Sequence, residues 1–140
     1  MRKPYLVLVT GGALRLGREI GLAFAQAGWN VLCHYRTSEA EALATQAALR
    51  DLGRDCLLVQ MDLAQPDSTS QLLNQCVTLP GSAAGCIVNK ASIFEAADAS
   101  TANERGLLGH SQTNTVTPLL LGNALCAWLQ TEPSTGSGHY

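Results

Sequence analysis

Tyr5-Leu-Val-Leu-Val-Thr10, followed by Gly11-Gly12-Ala-Leu-Arg15-Leu16-Gly17, is the stretch on which the reading of the whole chain turns. The first six residues form a continuous apolar run of strand length, β-branched in part, as expected of a strand buried on both faces. The run stops at two glycines. Beyond them Leu16, Ile20, Phe24 and Ala27 keep three-to-four spacing, which predicts a helix with these residues turned inward, and Gly28 supplies a left-handed stop.

The same alternation continues outward. Val31 to Tyr35 predicts a second strand; Ser38-x-x-Glu41 reads as a capping box opening a helix with Ala40, Leu43, Ala44 and Ala47 inside, ended by Gly53. Cys56 to Met61 predicts a third strand, and Asp67 opens a helix carrying Leu72, Leu73, Cys76 and Val77, closed by Leu79-Pro80-Gly81. Cys86 to Asn89 predicts a short fourth strand. A loop leads to one long helix from about Ala102 to Leu129, with Leu119, Leu120, Ala124, Leu125 and Trp128 as candidate core. Strict alternation with buried strands predicts the α/β class, a doubly wound parallel sheet covered on both faces.

The chain has 140 residues, 46% hydrophobic and 14% charged, with a formal net charge of -2. That suits one well-buried domain and leaves no room for a second. The nine Lys and Arg are scattered, with no basic run to follow a phosphate backbone, so nucleic acid is not an expected partner. Five dispersed cysteines without a Cys-x-x-Cys pair argue against a disulfide framework or zinc, and His34, His110 and His139 lack metal-ligand spacing. No metal is expected. No signal-peptide core and no membrane-length apolar run occurs, which predicts a soluble, cytoplasmic protein. Residues 131 to 140, rich in Gly and Ser, read as a tail or loop after a domain spanning 1 to 130.

In such a fold ligands gather at the carboxyl ends of the strands, so the turn Thr10 to Gly17 is the first candidate site. Its glycines allow close backbone approach, the helix start near Leu16 and Gly17 offers unpaired N–H groups, and Arg15 adds a full charge: the physics suits a phosphate. A P-loop reading, Gly12-x4-Gly17-Arg18-Glu19, lacks the Lys and the metal-binding hydroxyl, and Glu19 would repel a triphosphate. A plain Gly-rich connection between strand and helix stays open, as does a dinucleotide site with a loop longer than Gly-x-Gly-x-x-Gly.

The pattern Thr10-Gly11-x3-Arg15-x-Gly17 resembles the short-chain dehydrogenases/reductases, in the form found in their pteridine reductase branch. Further matches follow along the chain. His34-Tyr35-Arg36-Thr37-Ser38 looks like that family's NADP-selecting loop: an acidic residue would hold ribose hydroxyls, whereas Arg36, Thr37 and Ser38 suit a 2′-phosphate. Asp62-Leu63 resembles the pair that lines the adenine pocket. Val88-Asn89-Lys90-Ala91-Ser92-Ile93-Phe94 resembles Asn-Asn-Ala-Ser-x-Phe, with Lys90 departing from the pattern.

The resemblance implies a Rossmann-like fold binding NADP(H), with Gly11, Arg15, Leu16, Gly17, Arg36, Thr37, Ser38, Asp62, Leu63, Asn89, Ala91 and Ser92 at the cofactor. It implies a pterin or folate substrate touched by Arg15, Ser92 and Phe94, the Phe94 ring stacking on the flat substrate. A core role for Phe94 is the competing reading. Within Asn114-Thr-Val-Thr-Pro118, Pro118 cannot bond the Asn114 carbonyl, which in this family supports a proton relay.

The family's Tyr-x3-Lys pair is missing: the tyrosines are Tyr5, Tyr35 and Tyr140, the lysines Lys3 and Lys90. The resemblance therefore covers the first half of that family's domain, and the fold is expected to be incomplete at the C-terminus. From this follow weak NADP(H) binding without pterin turnover, and a homo-oligomer, a tetramer, only in the full-length family form. Two other readings stand beside it: a reductase of the same family acting on a carbonyl such as a ketoacyl thioester, and a noncatalytic dinucleotide-binding or assembly module.

Overall fold

The computed structural model describes residues 4–76 and 83–131. Its elements run β1 (Tyr5–Thr10), α1 (Arg15–Gln26), β2 (Asn30–Tyr35), α2 (Glu39–Asp51), β3 (Cys56–Gln60), α3 (Ser68–Cys76), β4 (Ala83–Asn89), α4 (Glu104–Ser111), a π-helical turn (Gln112–Val116) and α5 (Thr117–Thr131). Val77, the Leu79-Pro80-Gly81 stop and residues 132–140 of the expected tail lie outside the described residues.

The four strands form one parallel sheet in the order β3-β2-β1-β4. Because successive side chains of a strand point to opposite faces, the apolar run of β1 divides between two cores. Val7 and Val9 join Val31, Cys33 and Tyr35 of β2 beneath Ala25 of α1 and Ala42 and Leu49 of α2. On the other face Leu6, Leu8 and Leu32 meet Val59, Leu72 of α3 and Leu121 of α5. Helices thus cover both faces, as the doubly wound α/β expectation requires.

The helix faces depart from the sequence reading. In α1 the buried residues are Gly17, Gly21 and Ala25, while Leu16 is exposed, Ala27 lies outside the helix, and Ile20 and Phe24 pack from the side. Small residues at every fourth position let the helix axis approach the sheet closely, so the larger side chains are displaced to the flanks. In α2 the inner residues are Ala42, Thr45 and Leu49, and the expected Ala40, Leu43, Ala44 and Ala47 face solvent. Alanines on every side leave the helical period ambiguous. Thr45 decides it, because its buried hydroxyl donates to the Ala13 carbonyl at 2.7 Å. The capping box does not form, since the Ser38 side chain makes no cap bond.

Two further corrections concern the C-terminal third. β4 begins at Ala83 rather than Cys86, and the long helix is broken by the π turn at 112–116, immediately before Pro118. Pro118 has no N–H to give, and the Thr117 amide reaches back to the Gln112 carbonyl, the wider spacing of a π turn. In α5 Thr117 and Leu121 are fully buried and Trp128 packs half-buried against the same core, while Leu119 and Leu120 are exposed.

Candidate functional site

The site is built where β1, β2, β3 and β4 end together. Gly11 turns the chain out of β1 with φ 66°, a conformation that suits a residue without a β-carbon. Its amide donates to Nδ1 of His34 at 3.1 Å, and Nε2 of the same ring lies 2.9 Å from the Met61 carbonyl. A ring that accepts at Nδ1 and donates at Nε2 is neutral. The Gly12 amide also donates to the His34 carbonyl at 2.9 Å. One buried imidazole therefore ties the first turn to the ends of β2 and β3, a role the sequence did not disclose.

On the other side Thr10 binds the turn to β4. Its hydroxyl accepts the amides of Lys90 and Ala91, both at 3.1 Å, and donates to the Val88 carbonyl. The backbones then pass so closely that a β-carbon at Gly11 would stand 3.2 Å from the Ala91 Cα. Gly17 is tighter still, since a β-carbon there would collide with the Gly11 carbonyl and the Gly12 Cα. Arg15, between them, holds a left-handed φ of 51°, strain of roughly 1–3 kcal/mol for a residue with a side chain.

These loops enclose a cavity of about 360 Å³. Of the sequence-derived residues, Gly11, Arg36, Ser38, Asp62, Leu63, Ala91, Ser92 and Phe94 line it; Arg15, Leu16, Gly17, Thr37, Asn89 and Asn114 do not. Asp62 is already oriented: its carboxylate accepts the Ala64 amide at 3.0 Å and the Gln65 side chain at 3.1 Å, and these bonds hold its pKa below the usual carboxylate range. Ser38, whose side chain makes no cap bond, lines the cavity together with Arg36.

Phe94 is not a core residue. It is 88% exposed at the cavity wall, and the peptides on both sides of it are gripped from the next layer. The Asn114 side chain accepts the Ile93 amide and donates to the Ile93 carbonyl, each at 2.9 Å, and His110 Nε2 accepts the Glu95 amide at 3.0 Å. His110 in turn holds the Gly106 carbonyl through Nδ1 at 2.8 Å. Sequence reasoning set His110 aside as packing or surface. Thr113 was also missed: it is 4% exposed, lines the cavity, and its hydroxyl has no hydrogen-bond partner. Only its place beside Asn114 in the sequence pointed that way.

A family model described as short chain dehydrogenase matches residues 5–137. The chain belongs to the short-chain dehydrogenases. Among curated relatives of this short-chain dehydrogenase are an uncharacterized oxidoreductase of Mycobacterium tuberculosis, 48% identical over 51% of the chain and 27% of the relative. A 3-oxoacyl-[acyl-carrier-protein] reductase FabG of Aggregatibacter actinomycetemcomitans is 31% identical over 59% of the chain and 34% of the relative. Among solved structures, FolM alternative dihydrofolate reductase 1 from Brucella canis, complexed with NADP, superposes with TM-score 0.77 and 26% identity, covering 99% of this chain and 54% of that one. A short chain dehydrogenase from Burkholderia cenocepacia in complex with NADP gives 0.80 and 25%, covering 91% and 52%. The chain spans about half the length of these solved relatives.

A dinucleotide fits what the short-chain dehydrogenase offers. The first turn of α1 carries no acidic residue and its N-cap, Leu14, has no side-chain bond to the helix, so the positive end of the helix is open to an anion. Among the described residues no group of three His, Cys, Asp or Glu could hold a metal, and no helix is long and apolar enough to cross a membrane.

Proposed function

We propose that this chain supplies the NADPH-binding half of a reductase that transfers hydride to a dihydropterin or dihydrofolate ring. The bound cofactor supplies the hydride. Gly11 and the open N-terminus of α1 take the diphosphate, Arg36 with Thr37 and Ser38 the 2′-phosphate, and Asp62 with Leu63 the adenine. Ser92 stands between cofactor and substrate. Asn114 contributes its main-chain carbonyl to proton movement and its side chain to loop position.

The observation that carries the pterin reading is Phe94, an exposed aromatic at the cavity wall whose neighbouring peptides are both anchored. An exposed ring on an anchored backbone can stack on a flat bicyclic ligand without the loop having to be ordered first. A second reading, reduction of a 3-ketoacyl thioester, draws support from the relatives named as 3-oxoacyl reductases. No Tyr-x3-Lys pair occurs among the 140 residues, so the side chains here are assigned to binding and orientation.

Calorimetric titration tests this. NADPH binds in preference to NADH, and dihydrobiopterin then binds to the NADP⁺-loaded chain and is lost in Phe94→Ala. Acetoacetyl thioester binding that ignores Phe94→Ala would select the second reading, and failure to bind NADPH would remove both. Mixing the chain with NADPH and dihydrobiopterin gives no sustained fall at 340 nm above a no-protein control.

A further inference from the structure

Lys90 is half-buried at the end of β4 and lines the cavity beside Gly11. Its amide is fixed by the Thr10 hydroxyl at 3.1 Å, and its aliphatic stem lies along the first turn: Cδ would stand 3.3 Å from a β-carbon at Gly11. Its ammonium has no ion-pair partner among the described residues. A cation on a stem laid against a glycine turn, without a carboxylate to neutralise it, is poised for an anion arriving from the cavity.

The neighbourhood tells which anion. The helix start at Leu14 and Arg15 follows the same turn with no acid in its first turn and no side-chain cap, so its peptide N–H groups and the Lys90 stem both border the Gly11 turn. Arg36 is the cavity's other cation, and it sits on the far side, beyond β2, close enough to Asp62 to influence its charge. Two cations on opposite sides suit a ligand with two separate phosphate groups.

We propose that Lys90 is a binding residue for the diphosphate bridge of the dinucleotide, while Arg36 reads the 2′-phosphate. The inference rests on the cofactor reading above and adds a division of labour to it. Lys90 strengthens every ligand that carries the diphosphate and is indifferent to the 2′-phosphate.

The test compares the 140-residue chain with Lys90→Gln and Lys90→Arg by calorimetry against NADPH, NADH, ADP and adenosine 2′-monophosphate. Loss of one charge-assisted contact is expected to weaken NADPH, NADH and ADP by roughly tenfold each. The NADPH-to-NADH ratio and the affinity for adenosine 2′-monophosphate stay unchanged, and Lys90→Arg recovers most of the loss. Raising the salt concentration narrows the gap between wild type and Lys90→Gln, because screening weakens the contact only where the charge is present. Unchanged affinities in Lys90→Gln, a fall in the NADPH-to-NADH ratio, or Lys90→Arg as weak as Lys90→Gln would overturn the assignment. Wild-type chain that binds none of the four ligands would overturn the cofactor reading itself, a distinct result.

Discussion

The Asn114 side chain and the Ile93 peptide exchange two hydrogen bonds of 2.9 Å, one in each direction, across the gap between the π turn and the loop after β4. This pairing places Phe94, the next residue, at the cavity wall. Asn114→Ala removes both bonds, at a cost of about 1–2 kcal/mol. Hydrogen exchange at the Ile93 amide is expected to accelerate about tenfold, with Asn114→Asp, which keeps the acceptor and loses the donor, between the two. Exchange at Ile93 indistinguishable from wild type would show that the pairing does not hold the loop.

Gly17→Ala sets a β-carbon against the Gly11 carbonyl, which is backbone and cannot swing aside. The turn and α1 must separate, at a cost of roughly 1–3 kcal/mol. Urea denaturation should show a lower midpoint at unchanged slope, and NADPH affinity should fall with it. Gly21→Ala, where the nearest atom is a Val31 methyl at 3.8 Å, is expected to be nearly neutral or slightly stabilising, which makes it the matched control.

His34 makes stability depend on pH. Burial pushes its pKa below the ordinary imidazole value and outweighs the bond to the Met61 carbonyl and the charge of Asp62, which pull the other way. The native ring stays neutral while the unfolded chain takes up a proton below about pH 6.5, so stability is full above that pH and falls as pH drops through it. Asp62, with its pKa lowered, acts at more acid pH: its contribution is present above the usual carboxylate range and lost below it. Thermal melts between pH 8 and pH 5 should show the His34 slope, and His34→Gln should flatten it. An equal slope in the variant would assign the effect to another group.

The thiols should separate cleanly. Burial raises Cys33 and Cys56 to about 12, leaving almost no thiolate at pH 8, whereas Cys126 is exposed on α5. Iodoacetamide at pH 8 is expected to label Cys126 within minutes and to reach Cys33 and Cys56 only with global unfolding. Peptide mass spectrometry reads this directly, and early labelling of Cys33 would contradict the packing of β2 against Gly12.

The sequence by itself determined the alternation of strands and helices as far as β4 and the parallel sheet buried on both faces, and it named eight of the residues that line the cavity. Those features are local: the apolar run of β1, its stop at Gly11 and the residues that follow each strand are set by neighbours in the chain. Tertiary structure alone decided the rest. Which side of α2 faces inward was settled by the Thr45 bond to Ala13, thirty-two positions away in the chain. That Phe94 lies outside the core follows from grips by His110 and Asn114 on a segment fifteen to twenty-one residues distant. The partners of His34 come from Gly11 and Met61, and the place of Lys90 beside Gly11 comes from the pairing of β1 with β4. Each of these is a contact between residues far apart along the chain, and hydrophobic periodicity carries information only about near ones.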